Sequence, residues 1–176
     1  MPINLLKQYA DLLELAHLEE RARIQSLRGI FRRDIEENEN LCFKKKQIRP
    51  IKKADGEPAM QTLFHHLTTR MDESEEGKKI KRRIFEMDRS KRLHWILFHV
   101  EERKPETLEI FSYEDRIDRQ DKIRTYIYDK VEEYVIILEP QRSGRDYYLL
   151  TAYYLNEVRG KKQIKQKMKK KLPTIY

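Results

Sequence analysis

Cysteine occurs once in the 176 residues, at Cys42. A single thiol closes no internal disulfide and supplies no multi-cysteine zinc site, so neither a disulfide-stapled scaffold nor a zinc ribbon is open to this chain. Long apolar runs are missing too. No stretch approaches the ~20 uncharged apolar residues that a membrane-crossing helix needs. The opening MPINLLKQYADLLELAHLEE carries acids where a secretory leader is continuously apolar. The expected location is therefore cytoplasmic, with no membrane partner. Glycine is scarce, and no phosphate-cradling glycine loop, nucleophile elbow or His-Glu-x-x-His pair is present. Nucleotide hydrolysis, esterase and zinc-protease chemistry have no foothold, and no metal or cofactor is expected.

What the chain has in quantity is charge. Charged residues make up 39% of it and apolar residues only 39%, so a packed core fills part of the chain and the rest is solvated. The net charge of +8 is not spread evenly. Residues 159–171, RGKKQIKQKMKKK, hold eight basic residues and no acid, which leaves 30 basic against 30 acidic residues elsewhere. Such a tail attracts polyanions through release of their counterions. Lys161, Lys162 and Lys165 are the expected phosphate contacts, with a merely solubilising helix as the plain alternative. Ile164, Met168 and Leu172 make too thin an apolar face for lipid insertion.

Along the chain, Leu5, Tyr9, Leu12 and Ala16, then Ile24, Leu27, Phe31 and Ile35, keep helical spacing, predicting a helical arm over 1–40, kinked or folded near Gly29. That arm is a candidate for oligomerisation or for docking to another protein. Residues 38–60 combine Asn, Pro and Gly with Lys, so 41–60 reads as a linker with at most a short strand. A main domain over 61–158 and a basic tail over 159–176 complete the division. The Thr and Phe content of 61–70 predicts a strand, and 72–79 a polar loop. Leu93, Ile96, Leu97 and Val100 predict a helix from Asp88 to about Arg103. Four runs rich in Ile, Val, Thr and Tyr follow: 107–113, 122–129, 133–139 and 146–155. The expected class is α+β: a helix packed on a four- to five-stranded antiparallel meander, with a basic C-terminal helix.

Strands carrying Thr, Tyr, Arg and His suit metal-independent RNA cleavage, in which a base takes the 2′-OH proton and cations stabilise the phosphorane. If 61–70 is a strand, His66, Thr68 and Arg70 share one face, aligning an acid or base, a hydroxyl and a cation. Lys91 and His94 lie along one side of the Asp88 helix. On the sheet, Arg124 faces one way with Tyr126 and is either a phosphate contact or half of a salt bridge to Glu139 or Asp146. Thr151 and Tyr153 offer hydroxyls and a stacking face to unpaired RNA.

Tyr134-Val-Ile-Ile-Leu-Glu139, then Asp146-Tyr-Tyr-Leu-Leu-Thr-Ala-Tyr-Tyr154, then a basic helix, resembles the ending of the phage-associated branch of the barnase, EndoU, colicin-ribonuclease and RelE-like nucleases (the BECR fold). Arg89-Ser-Lys-Arg-Leu-His-Trp-Ile96 looks like that branch's helix before the sheet. The resemblance covers roughly residues 61–160. It implies a helix on a four-stranded antiparallel sheet, RNA cleavage from the open face and, in many relatives, a toxin or phage-conflict role with an inhibitor protein as partner. Only residue classes transfer, and on the matching positions they fall on His94, Arg124, Thr151 and Tyr153. His66 is added from the residues themselves. The competing expectations are a non-catalytic RNA-binding module on the same surface and a phage or mobile-element protein that docks through its N-terminal helices.

Overall fold

In the computed structural model the described residues are 3–52, 56–72 and 82–176. A short 3-10 turn, Ile3–Leu6, leads into irregular chain and then α1 (Glu20–Phe31). The helix widens over Arg32–Glu36, where the Glu37 N–H reaches back five residues to the Arg32 carbonyl at 2.8 Å. A small hairpin follows, β1 (Cys42–Phe43) and β2 (Lys46–Pro50). Next come α2 (Ala59–Thr68), β3 (Thr69–Met71) and β4 (Arg83–Phe85). After α3 (Met87–Ser90) and α4 (Trp95–Val100) the chain enters β5 (Leu108–Ile117), β6 (Gln120–Asp129), β7 (Tyr134–Pro140) and β8 (Asp146–Tyr154), and α5 (Val158–Lys169) closes it.

The class is α+β. The expected meander is present as β5 to β8, each strand antiparallel to the next. Val135 to Leu138 are buried on both faces, as a central strand requires. Asp118 and Arg119 join β5 to β6, both at positive φ (49° and 65°), the two-residue turn whose twist matches the strands it links. The sheet is nevertheless larger and less regular than expected. Its six strands run β1-β2-β8-β7-β6-β5, and β2 lies parallel to β8. The Lys and Pro of residues 42–50 predict a linker. Phe43 and Ile48 are buried, however, and Pro50 stands at the end of β2, where a missing N–H costs the ladder least. β3 and β4 form a separate two-stranded ribbon.

Three further expectations are corrected. Residues 61–70 are mainly helix, because Leu63, Phe64 and Leu67 gather on one helical face in the core and this burial overrides the strand preference of threonine. The helix from Asp88 is broken into α3 and α4. Between them Arg92, Leu93 and Trp95 donate to carbonyls three residues back, a tighter winding that still buries Leu93, Ile96 and Val100. Over 1–40, regular helix is confined largely to 20–36. Leu13 and Leu15 lie in non-helical chain and share the main core with Leu27, Ile30 and Phe31, so this stretch packs into the fold and does not stand off as an arm. Of the polar loop at 72–79, all but Asp72 lies outside the described residues. No helix among the described residues is long and apolar enough to cross a membrane.

The two faces of the sheet differ. The first carries Ile127, Ile136, Leu138 and Leu149 and packs on α1, α2 and α4 in the main core. At its heart is a buried ion pair. His99 Nε2 lies 2.9 Å from Asp129 Oδ2 and His99 Nδ1 lies 2.7 Å from the Trp95 carbonyl, so the ring is held between two acceptors. Tyr9 donates to the same Oδ2 at 3.1 Å, and the Val131 and Glu132 N–H groups donate to Oδ1 at 3.0 and 3.1 Å. Burial pushes the Asp129 carboxyl upward, but the His99 hydrogen bond, the two backbone donors and the His99 charge outweigh it and hold it at about 2. The second face carries Phe111, Tyr126, Tyr128 and Val135, covered at one end by Ile164 and Met168 of α5. Toward β8 that face borders a cavity at Arg124, Ile137, Leu150 and Thr151.

Candidate functional site

An irregularity in β8 shapes the open region. Leu138 pairs with Leu149 and Ile137 with Thr151, so Leu150 is an extra residue and the two-residue alternation restarts after it. Leu149 and Ala152 join the main core, while Leu150 and Tyr153 join the second face. Past Pro50, where β2 ends, α2 lies along β8. Its Thr62, Leu63 and His66, at helical spacing, turn toward the space in front of the bulge. The β3–β4 ribbon and α3 wall off the other side, and Arg124 reaches in from β6.

The result is a cavity of about 430 Å³ that gathers Arg70, Arg83, Arg89 and Arg124 with His66 and Thr151. No carboxylate is among its described lining residues. Like charges so close need holding. Arg89 donates through Nη1 to the carbonyls of His66 and Thr69, 2.7 Å each. Arg83 donates to the Thr69 hydroxyl at 2.7 Å and the Thr69 carbonyl at 2.8 Å. Arg70 pairs with Glu86 at 2.8 Å. Arg124 has Glu139 as its cross-strand neighbour, but at 3.9 Å, beyond hydrogen-bond length. The expected salt bridge to Glu139 is thus a loose one, and Asp146 is taken by Arg49 at 2.6 Å. The Nε–H groups of Arg89 and Arg124 are buried with no hydrogen-bond partner among the described residues. Burial, and then the charge of Arg83, pull the Arg89 pKa below its ordinary value, and burial does the same to Arg83. Guanidinium groups nonetheless keep their protons at neutral pH. Unsatisfied cationic donors at a cavity wall are costly alone and favourable once an anion enters.

A second cavity, of about 310 Å³, shares Arg70, Met71 and Arg89 with the first and runs past Tyr153 and Tyr154 to Gly160 in α5. The Arg89 guanidinium stands 5.6 Å from the Tyr153 ring centre. Burial raises the Tyr153 pKa, so its phenol keeps its proton.

The expected site residues divide accordingly. His66, Arg70, Arg124 and Thr151 meet in the first cavity, Thr151 Oγ1 lying 3.5 Å from the His66 carbonyl, and Tyr153 lines the second. His94 does not join them. It is 6% exposed and lines a different hollow, with Gln8 of the N-terminal chain and Asp34 of the widened turn after α1. Thr68 is buried and spends its hydroxyl on the Phe64 carbonyl at 2.8 Å, as mid-helix threonines do. Lys91 lies outside both cavities, its carbonyl accepting from the Leu13 N–H. Tyr126 is 1% exposed, stacked on Phe111 and hydrogen-bonded to Asp115, which leaves no free face for a base. Lys161 is paired with Glu133 at 2.5 Å, whereas Lys162 and Lys165 are exposed. Arg83, Arg89 and Thr62 escape sequence reasoning. The one signal is a set of basic residues interrupting apolar ones, Arg83-Ile-Phe85 and Met87-Asp-Arg89, where a solvated run would be more polar. Comparison with protein-family models, curated proteins and solved structures finds no match to this chain.

Proposed function

We propose that this protein is a metal-independent endoribonuclease that cleaves RNA by attack of the 2′-OH on the adjacent phosphate, leaving a 2′,3′-cyclic phosphate. The observation that carries the reading is the cavity in which four arginines, two with buried Nε–H groups that make no hydrogen bond among the described residues, stand with an imidazole and a hydroxyl and no carboxylate among the described lining residues. Arg89 and Arg124 hold the scissile phosphate and stabilise its phosphorane. His66 takes the 2′-OH proton as the 2′-oxygen bonds to phosphorus. Thr151 orients the phosphate. Tyr153, which keeps its phenol proton until this step, donates it to the departing 5′-oxygen. The resemblance to barnase-, EndoU- and RelE-like nucleases points the same way, and such a substrate suits a cytoplasmic protein.

A second reading, a non-catalytic RNA-binding module, is favoured by one fact: with His94 sequestered, His66 is the only imidazole among the cavity's described lining residues. The test is incubation with total RNA in EDTA, beside His66→Ala and Arg124→Gln variants, followed by analysis of the RNA ends. The nuclease reading expects cyclic-phosphate ends from the wild type and their loss in both variants. Intact RNA from wild-type protein overturns it in favour of the binding module.

A further inference from the structure

The lysines and arginines of α5 fall into two populations. Those turned toward the sheet are bound: Lys161 to Glu133, and Lys167 to Asp115 at 2.5 Å and to the Tyr126 hydroxyl at 2.8 Å. Those turned outward, Arg159, Lys162, Lys165 and Lys169, are exposed, and among the described residues none has an ion-pair partner. Arg159, Lys162 and Lys169 stand at i, i+3 and i+10, one stripe along a helix fixed in place by buried Ile164. The stripe begins where the second cavity ends, at Gly160, and that cavity shares Arg70 and Arg89 with the first. Cations therefore stand at both ends of a path from the arginine cavity, past Tyr153 and Tyr154, to the outer face of α5, while the cavity between them also carries Asp88, Glu157 and Glu86, the last paired with Arg70. Ile164 and Met168 fill the inner face, which closes any path between α5 and the sheet.

We propose that the outer face of α5 is a track for an extended single-stranded RNA whose scissile phosphate sits in the arginine cavity. The proposal rests on the ribonuclease reading and specifies its substrate: a single strand several nucleotides longer than the cleaved step. An unpaired strand fits because its backbone bends from cavity to helix and its bases are free to lie against Tyr153 and Tyr154, whereas a duplex presents neither. The outer cations capture the strand and take no part in the chemical step.

The experiment uses full-length protein carrying His66→Ala, so that RNA survives, and measures binding of a fluorescent trinucleotide, a 12-nucleotide single strand and a 12-base-pair duplex across a salt series. Combined K162Q, K165Q and K169Q changes should weaken the 12-mer and leave the trinucleotide unaltered. The salt slope for the 12-mer should flatten by about 0.7 for each phosphate that the variant no longer neutralises. Arg124→Gln should weaken both single-stranded ligands. Equal weakening of trinucleotide and 12-mer in the lysine variant, an unchanged salt slope, or duplex binding as tight as single strand overturns the track. If Arg124→Gln alters neither ligand while the lysine changes weaken the 12-mer, the cavity reading fails and α5 remains a polyanion surface unconnected to it.

Discussion

The two faces of the central sheet treat buried charge in opposite ways. On the first, His99 and Asp129 lie 1% and 0% exposed, and the carboxylate oxygens accept from His99, Tyr9 and two backbone N–H groups. On the second, Arg89 and Arg124 each keep a buried Nε–H with no hydrogen-bond partner among the described residues, Glu139 standing 3.9 Å from that of Arg124. A satisfied network locks neighbouring elements together, here the N-terminal chain, α4 and the end of β6. An unsatisfied one weakens the fold and is retained where something outside the chain completes it. One face is satisfied within the chain, and on the proposed reading an anion completes the other.

The largest effect expected from this contrast is on the first face. Asp129→Asn leaves His99 without its carboxylate in the core and should cost about 3–5 kcal/mol in urea unfolding. A cost under about 1 kcal/mol would mean that the pair is not the lock described. Acid should act on the same group. The Asp129 pKa is held at about 2 against an ordinary 3.8, so its contribution is complete above pH 4 and is lost as pH falls toward 2. The size is about 2 kcal/mol, from 1.36 kcal/mol per pKa unit. Thermal melts between pH 6 and pH 2 should show that decline in the wild type and a shallower one in Asp129→Asn. On the second face the sign should differ. Arg124→Met removes an underpaired cation and should leave stability within about 1 kcal/mol of wild type, or raise it, while weakening RNA retention on a filter. Destabilisation comparable to Asp129→Asn would erase the distinction between the faces. The smallest effect belongs to His94, whose ring nitrogens lack protein partners by strict geometry among the described residues and whose pKa burial lowers. His94→Leu should change stability by less than about 1 kcal/mol and leave RNA cleavage intact. Abolished cleavage in a folded His94→Leu protein would return this residue to the site.

The meander and the Arg124 face were legible because period-two patterning in β6 is strong and both neighbours of Val135–Leu138 are strands. Residues 61–70 were not. Two adjacent histidines and three threonines look strand-like, and the apolar Leu63, Phe64 and Leu67 satisfy either period until a core is there to choose. His66 lines the arginine cavity from a helical face shared with Thr62 and not from a strand face shared with Thr68. The alternation of β8 misled more subtly. Simple alternation groups Thr151 and Tyr153 with Tyr147 and Leu149, and the bulge separates those pairs onto opposite faces. Arg83 and Arg89 stayed hidden because a cavity wall assembled from a short ribbon and one helical turn leaves no periodic trace in sequence.

Leu150 gives the hollow a property that its arginines do not. A bulge bends its strand and tightens the local twist, so the concavity facing Arg124 depends on one inserted residue whose side chain is wholly apolar. Deleting Leu150 would leave Thr151 opposite Ile137 and Ala152 on the core side, with every charged group still attached to the same element. The strand would straighten all the same. Form and chemistry are written in different residues here, so single-residue insertions or deletions in β8 can deepen or flatten the hollow in related sequences while its complement of charges stays constant.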